Sequence, residues 1–262
     1  MTRLVSALSK GVSRRGVLAG TGLAAVLPRA ARAEWLRDEV VVYCDPALRP
    51  VLTAIAARFR RDAGISLRVF CAAPGQMLGL LAHGTQDDVL ITLAPFIRQG
   101  EQSTLVEQGK PLWRNRLVFA AAGRDQPAAA FDAASFISRL GNGKLAVPDF
   151  TPAASVNGPA IIQQLGLTDR LGGRLQGAAN TGDGLAMLRR GDVVLALCHI
   201  TEIAGAADLS AAMLVPDSAY DPIDYDVALT KSAWSRNQGK LLADLGGPGR
   251  EEAAAFGLAV LA

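Results

Sequence analysis

Glu39-Val40-Val41-Val42-Tyr43-Cys44-Asp45-Pro46-Ala47-Leu48 is the stretch from which the fold can be read. Its first half is apolar at nearly every position and rich in β-branched residues, the mark of a short strand buried on both faces. Asp45-Pro46 turns the chain. Leu48, Leu52, Ile55 and Phe59 then recur at helical spacing until Gly64, a helix stop. Working outward, the same alternation repeats. Residues 65–70 read as a second strand and 75–82 as a helix ending near Gly84. Val89-Leu90-Ile91-Thr92, Leu117-Val118-Phe119-Ala120 and Leu145-Ala146-Val147 read as further strands. Helices are expected over 158–165 and 184–190, stopped by Gly166 and Gly191. Val193-Val194-Leu195-Ala196-Leu197 is the clearest buried strand. Residues 223–229 alternate weakly as a late strand, and two terminal helices are expected near 233–242 and 250–256. The Ala-rich stretch 127–134 reads as a surface loop and helix start. Strands alternating with helices predict an α/β fold of mostly parallel sheets with helices on both faces.

In such sheets ligands bind beyond the carboxyl ends of the strands, where helix N-termini also offer free N–H groups to an anion. That rule selects residues 44–48, 71–77, 148–155, 179–183 and 198–202 as the segments that build a site.

Ser13-Arg14-Arg15-Gly16-Val17-Leu18-Ala19 precedes an apolar run to Leu27 and a small-x-small sequence, Ala31-Arg32-Ala33. Charged region, short apolar region and cleavage site together predict a twin-arginine export signal over residues 1–33, with a mature chain starting at Glu34 outside the cytoplasm, in the periplasm. The apolar run is shorter than the roughly 20 residues a membrane span needs. Of 27 basic residues, six lie in that signal with no acid, so the remainder carries 21 basic against 24 acidic residues. This slight acidity argues against nucleic acid or an anionic membrane as partner. Aromatics are 5% of the chain, too few for stacking platforms, and no spacing supports a Ser-His-Asp set. No cofactor is implied.

The segments above, in that order, resemble the periplasmic molybdate-binding proteins of ABC importers. Val42-Tyr43-Cys44-Asp45-Pro46-Ala47-Leu48 stands where that family has "VFAAASL", and Asp87-Asp88-Val89-Leu90-Ile91-Thr92 is similar to "PADVFIS". Asn115-Arg116-Leu117-Val118 matches "NRLV", Pro152-Ala153-Ala154 resembles "VPAG", and Gly191 through His199 resembles "GEADAGIVY". The resemblance implies a two-lobe periplasmic-binding-protein-like fold with a ligand cleft between the lobes. Lobe 1 would comprise residues 34–115 plus 223–262 and lobe 2 residues 116–222, hinged near 115–119 and 220–227. It also implies a monomeric, non-enzymatic solute-binding protein that captures a small ligand and docks on a membrane permease.

The family's ligand positions are altered here. One serine position is Ala47, and the second falls on Ala73 or Pro74, so both hydroxyls are absent. The valine that donates a backbone N–H is Thr181, and the tyrosine is His199. Ala153 and Asn180 lie in the remaining cleft loops. These losses predict weak molybdate binding. Cys44 ends one strand, Cys71 the next, and Cys198 stands beside His199. Three readings stay open for the cysteines: small buried apolar side chains, a disulfide between Cys44 and Cys71, or a soft-metal site of Cys44, Cys71, Cys198 and His199. Asp45 and Glu202 favour a cation over a bare oxyanion. Two other functions compete with import: a ligand-delivery or sensor protein without transport, and an enzyme using Cys198 and His199.

Overall fold

The computed structural model describes residues 39–123, 128–149 and 156–261. The proposed signal and the Pro152-Ala153-Ala154 turn lie outside the described residues, so neither is placed. Among the described residues no helix is long and apolar enough to cross a membrane.

Two sheets, with helices on both faces, make the two lobes. The first contains β1 (Glu39–Cys44), β2 (Ser66–Cys71), β3 (Val89–Leu93), β4 (Lys110–Asn115), β10 (Ile223–Leu229) and β11 (Ala259–Val260), in the order β11-β4-β10-β3-β1-β2. The second contains β5 (Leu117–Ala122), β6 (Leu145–Pro148), β7 (Leu175–Ala178), β8 (Leu195–His199) and β9 (Leu209–Leu214), in the order β7-β6-β8-β5-β9. Both sheets are mixed. β1 pairs in parallel with β2 and β3, and β6 with β7 and β8, whereas β10 and β5 pair antiparallel with both of their neighbours. The expectation of mostly parallel sheets thus holds for the half of each sheet built from strand–helix units. The antiparallel strands are those reached by the chain crossings, where no helix has to return the chain to the same edge.

Burial explains the strands. Val40 and Val42 are fully buried on one face of β1 while Val41 is nearly so on the other, as a central strand requires. Helix α1 (Arg49–Ala63) covers the sheet with Val51, Leu52, Ile55 and Phe59, and ends at Gly64, whose φ of 69° favours glycine. Helices α2 (Pro74–Ala82) and α3 (Ala94–Gln102) pack Met77, Leu78, Leu81 and Ile97 on the opposite face. In the second sheet, α4 (Ala133–Leu140), α5 (Gly158–Gln164) and α6 (Thr168–Leu171) lie toward one face, and α7 (Thr181–Arg190) and α8 (Ile200–Ile203) toward the other. Gly158 opens α5 so close to β6 that a Cβ there would stand 2.5 Å from the Pro148 carbonyl.

The chain ends in α9 (Gln238–Leu245) and α10 (Gly249–Ala255), both returned to the first sheet. Helix α9 starts later than sequence periodicity predicts, because residues 233–235 are irregular and 236–237 form a turn. Arg58 of α1 holds these helices with a two-pronged ion pair to Asp244 and a second bond to Glu252. The two sheets meet through shared apolar side chains, among them Trp113, Leu117, Phe119, Ile223 and Tyr225, so the described residues form one compact unit. Asn115, at the first crossing, is buried and donates from Nδ2 to Thr201 Oγ1 at 3.0 Å, tying the crossing to α8.

Candidate functional site

Strand ends determine where the site lies. Asp45 to Ala47 leave β1, Ala72 to Pro74 leave β2, Pro148 ends β6, Ala179 to Gly182 leave β7, and His199 ends β8. These loops enclose a cavity of about 450 Å³ between the sheets, within the range of small-molecule sites. The first sheet contributes Asp45, Pro46, Ala47, Ala72, Ala73, Pro74 and Gln76. The second contributes Pro148, Val156, Ala179, Asn180, Thr181, Gly182, His199 and Glu202.

Helix starts supply its donors. Helix α2 has no side-chain N-cap and begins with Pro74, so its first free N–H belongs to Gly75. Helix α7 is capped by Asn180, whose Oδ1 accepts from Asp183 N at 2.9 Å; the Thr181 and Gly182 N–H groups, in its first turn, have no intrahelical acceptor. The cleft is thus faced from both sheets by helix N-termini, a setting favourable to negative charge.

His199 is the central side chain. It is 3% exposed and caps α8, and its Nδ1 lies 3.1 Å from Glu202 Oε2. Glu202 is held three further ways: Oε2 accepts from His199 N at 2.9 Å, Oε1 accepts from Thr181 Oγ1 at 2.8 Å, and burial keeps water away. Burial alone would push the imidazole pKa down. The Glu202 hydrogen bond and the charges of Glu202 and Asp45 outweigh it, and the His199 pKa is raised. Burial likewise opposes ionisation of Glu202, but the His199 contact lowers its pKa below the usual value. The pair therefore favours imidazolium and carboxylate. Its Nε2 is buried and makes no hydrogen bond within the protein.

The carboxylates expected to attract a cation have other work. Asp45 Oδ1 accepts from Ala47 N at 3.0 Å and caps the short 3-10 turn Pro46–Leu48. Glu202 is engaged as above. Among the described residues, no lysine or arginine lines the cavity. Of the predicted contacts, Asp45, Ala47, Pro74, Asn180, Thr181 and His199 come together there, with Ala73 beside Pro74. Ala153 lies outside the described residues.

The cysteines do not gather around the cavity. Cys198 and His199 are consecutive in β8 and point to opposite faces, so Cys198 sits in the apolar cluster with Val118, Leu185 and Leu188. Cys44 and Cys71 lie side by side beneath the cleft, with free thiols and sulfurs 3.0 Å apart. Among the described residues, no three His, Cys, Asp or Glu side chains converge on a metal position. The set Cys44, Cys71, Cys198 and His199 is therefore not assembled, because strand alternation separates Cys198 from its neighbour.

Sequence reading does not single out Glu202 as the anchor of both His199 and Thr181. The signal available was the His-x-x-Glu spacing at a helix start, the pattern of a capping box.

Among curated proteins, no sequence matches the chain. Solved structures show the same fold at low identity. The periplasmic molybdate-binding protein of Azotobacter vinelandii is 17% identical, with a TM-score of 0.70 over 85% of this chain and 100% of its own. The periplasmic binding protein AfuA of Actinobacillus pleuropneumoniae, bound to fructose-6-phosphate, is 16% identical, with a TM-score of 0.55 over 84% of this chain and 82% of its own. Iron-bound HitA of Pseudomonas aeruginosa is 14% identical, with a TM-score of 0.52 over 83% of each chain. The model of the bacterial extracellular solute-binding protein family matches residues 40–247, most of the folded chain and all of the cavity, and the chain belongs to that family.

Proposed function

We propose that this protein captures a small solute bearing an oxyanion group in the cleft between its lobes and presents it to an ABC permease. In this reading lobe 1 comprises residues 34–115 and 223–262, lobe 2 comprises 116–222, and the segments near 115–119 and 220–227 act as hinges that close on the ligand. The chain works outside the cytoplasm as a monomer, after export through the twin-arginine route.

The buried Nε2 of His199 carries the proposal. With Nδ1 committed to Glu202, a charged ring turns Nε2 into a donor and a neutral ring turns it into an acceptor. His199 lines the same cavity as the starts of α2 and α7, whose free N–H groups are further donors. Three solved neighbours named for molybdate, iron and a sugar phosphate share the fold, so fold alone does not choose the ligand. Here neutral donors and one ionisable ring replace the family's hydroxyls, and Ala47 and Ala73 leave room beside them.

Calorimetry at a series of pH values tests this with molybdate, sulfate, phosphate and phosphorylated small organic acids. Molybdate itself is expected to bind weakly, because each missing hydroxyl removes a bond worth about 1.5–3 kcal/mol to a charged ligand. For a genuine oxyanion ligand, affinity is expected to fall as pH rises through the raised His199 pKa, when Nε2 ceases to donate. A metal ion would show the opposite slope, since its ligands must lose protons. Submicromolar molybdate binding would show that backbone donors suffice without hydroxyls.

A further inference from the structure

Beneath the cleft, β1 and β2 run parallel in a register that sets Cys44 directly beside Cys71. Parallel neighbours lie about 4.8 Å apart, inside the span a disulfide bridges. Both side chains face the same side, and their sulfurs already touch at 3.0 Å. The pair is unequal. Cys44 is fully buried on a strand flanked by β2 and β3, whereas Cys71 is half-buried on the outermost strand of its sheet. Only Cys71 can meet a reagent from solution.

We propose that Cys44 and Cys71 form a reversible disulfide under the cleft floor, made and broken by exchange with a low-molecular-weight disulfide of the glutathione type. The Cys71 thiolate attacks one sulfur of that disulfide, forming a mixed disulfide and expelling one glutathione thiolate. Cys44 then loses its proton and attacks the Cys71 sulfur, expelling the second. Two protein thiols are oxidised, one small disulfide is reduced, and the two protons released leave on the two glutathione thiols. Local electrostatics suit the first attack, by Cys71, and keep Cys44 protonated until the mixed disulfide has formed. The Cys44 hydrogen bond lowers the Cys71 pKa, helped by Arg49, while that same bond and burial raise the pKa of Cys44.

The bond would act on the site. Asp45–Ala47 and Ala72–Pro74 leave directly from the two cysteines, and Ala72 N already donates to the Cys44 carbonyl at 3.2 Å. Oxidation fastens these two cleft-floor loops to each other and stiffens one wall of the cavity. That consequence rests on the cleft being the ligand site; the disulfide itself does not.

The test uses the full chain equilibrated in oxidised or reduced glutathione, then alkylated in denaturant. Oxidised protein is expected to show a single free thiol, Cys198, and reduced protein all three. Peptide mapping should join Cys44 to Cys71. Oxidation should raise the thermal midpoint by roughly 5–10 °C in wild type, as expected for a closed loop of this length, and leave Cys71→Ser unmoved. Amide exchange over residues 72–76 should slow roughly tenfold on oxidation. Three free thiols under oxidising conditions, a link that uses Cys198, or a soft metal retained on the pair in native mass spectra would overturn the proposal. A disulfide that forms without slowing exchange at 72–76 would overturn its effect on the cleft while leaving the binding function untouched.

Discussion

Asp88→Ala is expected to lower stability by roughly 4 kcal/mol or more, enough to leave much of the protein unfolded at body temperature. Asp88 is fully buried, and its carboxylate accepts three backbone N–H groups. Oδ2 takes Val41 N at 2.9 Å; Oδ1 takes Trp234 N at 2.9 Å and Ser235 N at 2.8 Å. One side chain thereby fastens the central strand β1 to the segment that returns from β10. Alanine would leave all three donors buried without acceptors, each costing about 1–3 kcal/mol. Asp88→Asn should fall between, since its amide must point a donor at one of the N–H groups. Urea unfolding of the three proteins checks the order. An alanine variant within 1 kcal/mol of wild type would show that water or a local shift satisfies these groups.

Glu202→Ala is expected to reverse the titration of His199. In wild type the Glu202 hydrogen bond and charge overcome burial and raise the imidazole pKa. Without Glu202, burial dominates and the pKa should fall below its ordinary value of about 6.5. The stability consequence has a definite sign. A raised histidine pKa contributes stability that is fully present below the unfolded value and is lost as pH rises through the folded value. The variant loses that contribution and must also expel a proton from a buried ring in acid. The gap between the two proteins should therefore be widest near pH 5, at roughly 3 kcal/mol. Thr181 loses its acceptor in the same substitution, which loosens the start of α7 at the cleft. Proton NMR of the His199 ring follows the shift; an unchanged midpoint would mean that Glu202 does not set the charge of this group.

These two residues differ in how far the sequence exposes them. Asp88 sits in the Asp87-Asp88-Val89 stretch, legible in the sequence only through its likeness to the family's "PADVFIS", and the three donors it serves come from residues 47, 146 and 147 positions away. No local pattern encodes that reach. His199 follows the clearest buried strand of the chain, so its place at a strand end and at the cleft was legible. Its partner Glu202 was visible only as a nearby acid. The strand–helix units around Val40–Val42, Leu52–Phe59 and Leu195–Leu197 announced themselves because their apolar spacing is regular. Strands β4, β7 and β9 did not. Lys110-Pro111 and Leu175-Gln176-Gly177 break the alternation, and these strands owe their pairing to neighbours already in place. Helix α4 starts at Ala133, where the Ala-rich stretch was expected to open a helix, but its extent was not legible, since Phe136 and Leu140 alone mark its buried face. Among the described residues the four side chains of the metal set do not converge, for a reason the sequence did contain: Cys198 and His199 are consecutive in a strand and point to opposite faces.

The central claim, a solute held between the lobes against His199, is tested most directly by native mass spectrometry. Wild type and His199→Phe would be isolated from exporting cells without denaturation or exhaustive dialysis. Phenylalanine keeps the ring volume and removes both nitrogens. Wild type is expected to carry one small molecule as a discrete added mass, and the variant to have lost it. The same mass at equal occupancy in both proteins would place the solute away from the cleft and contradict the account.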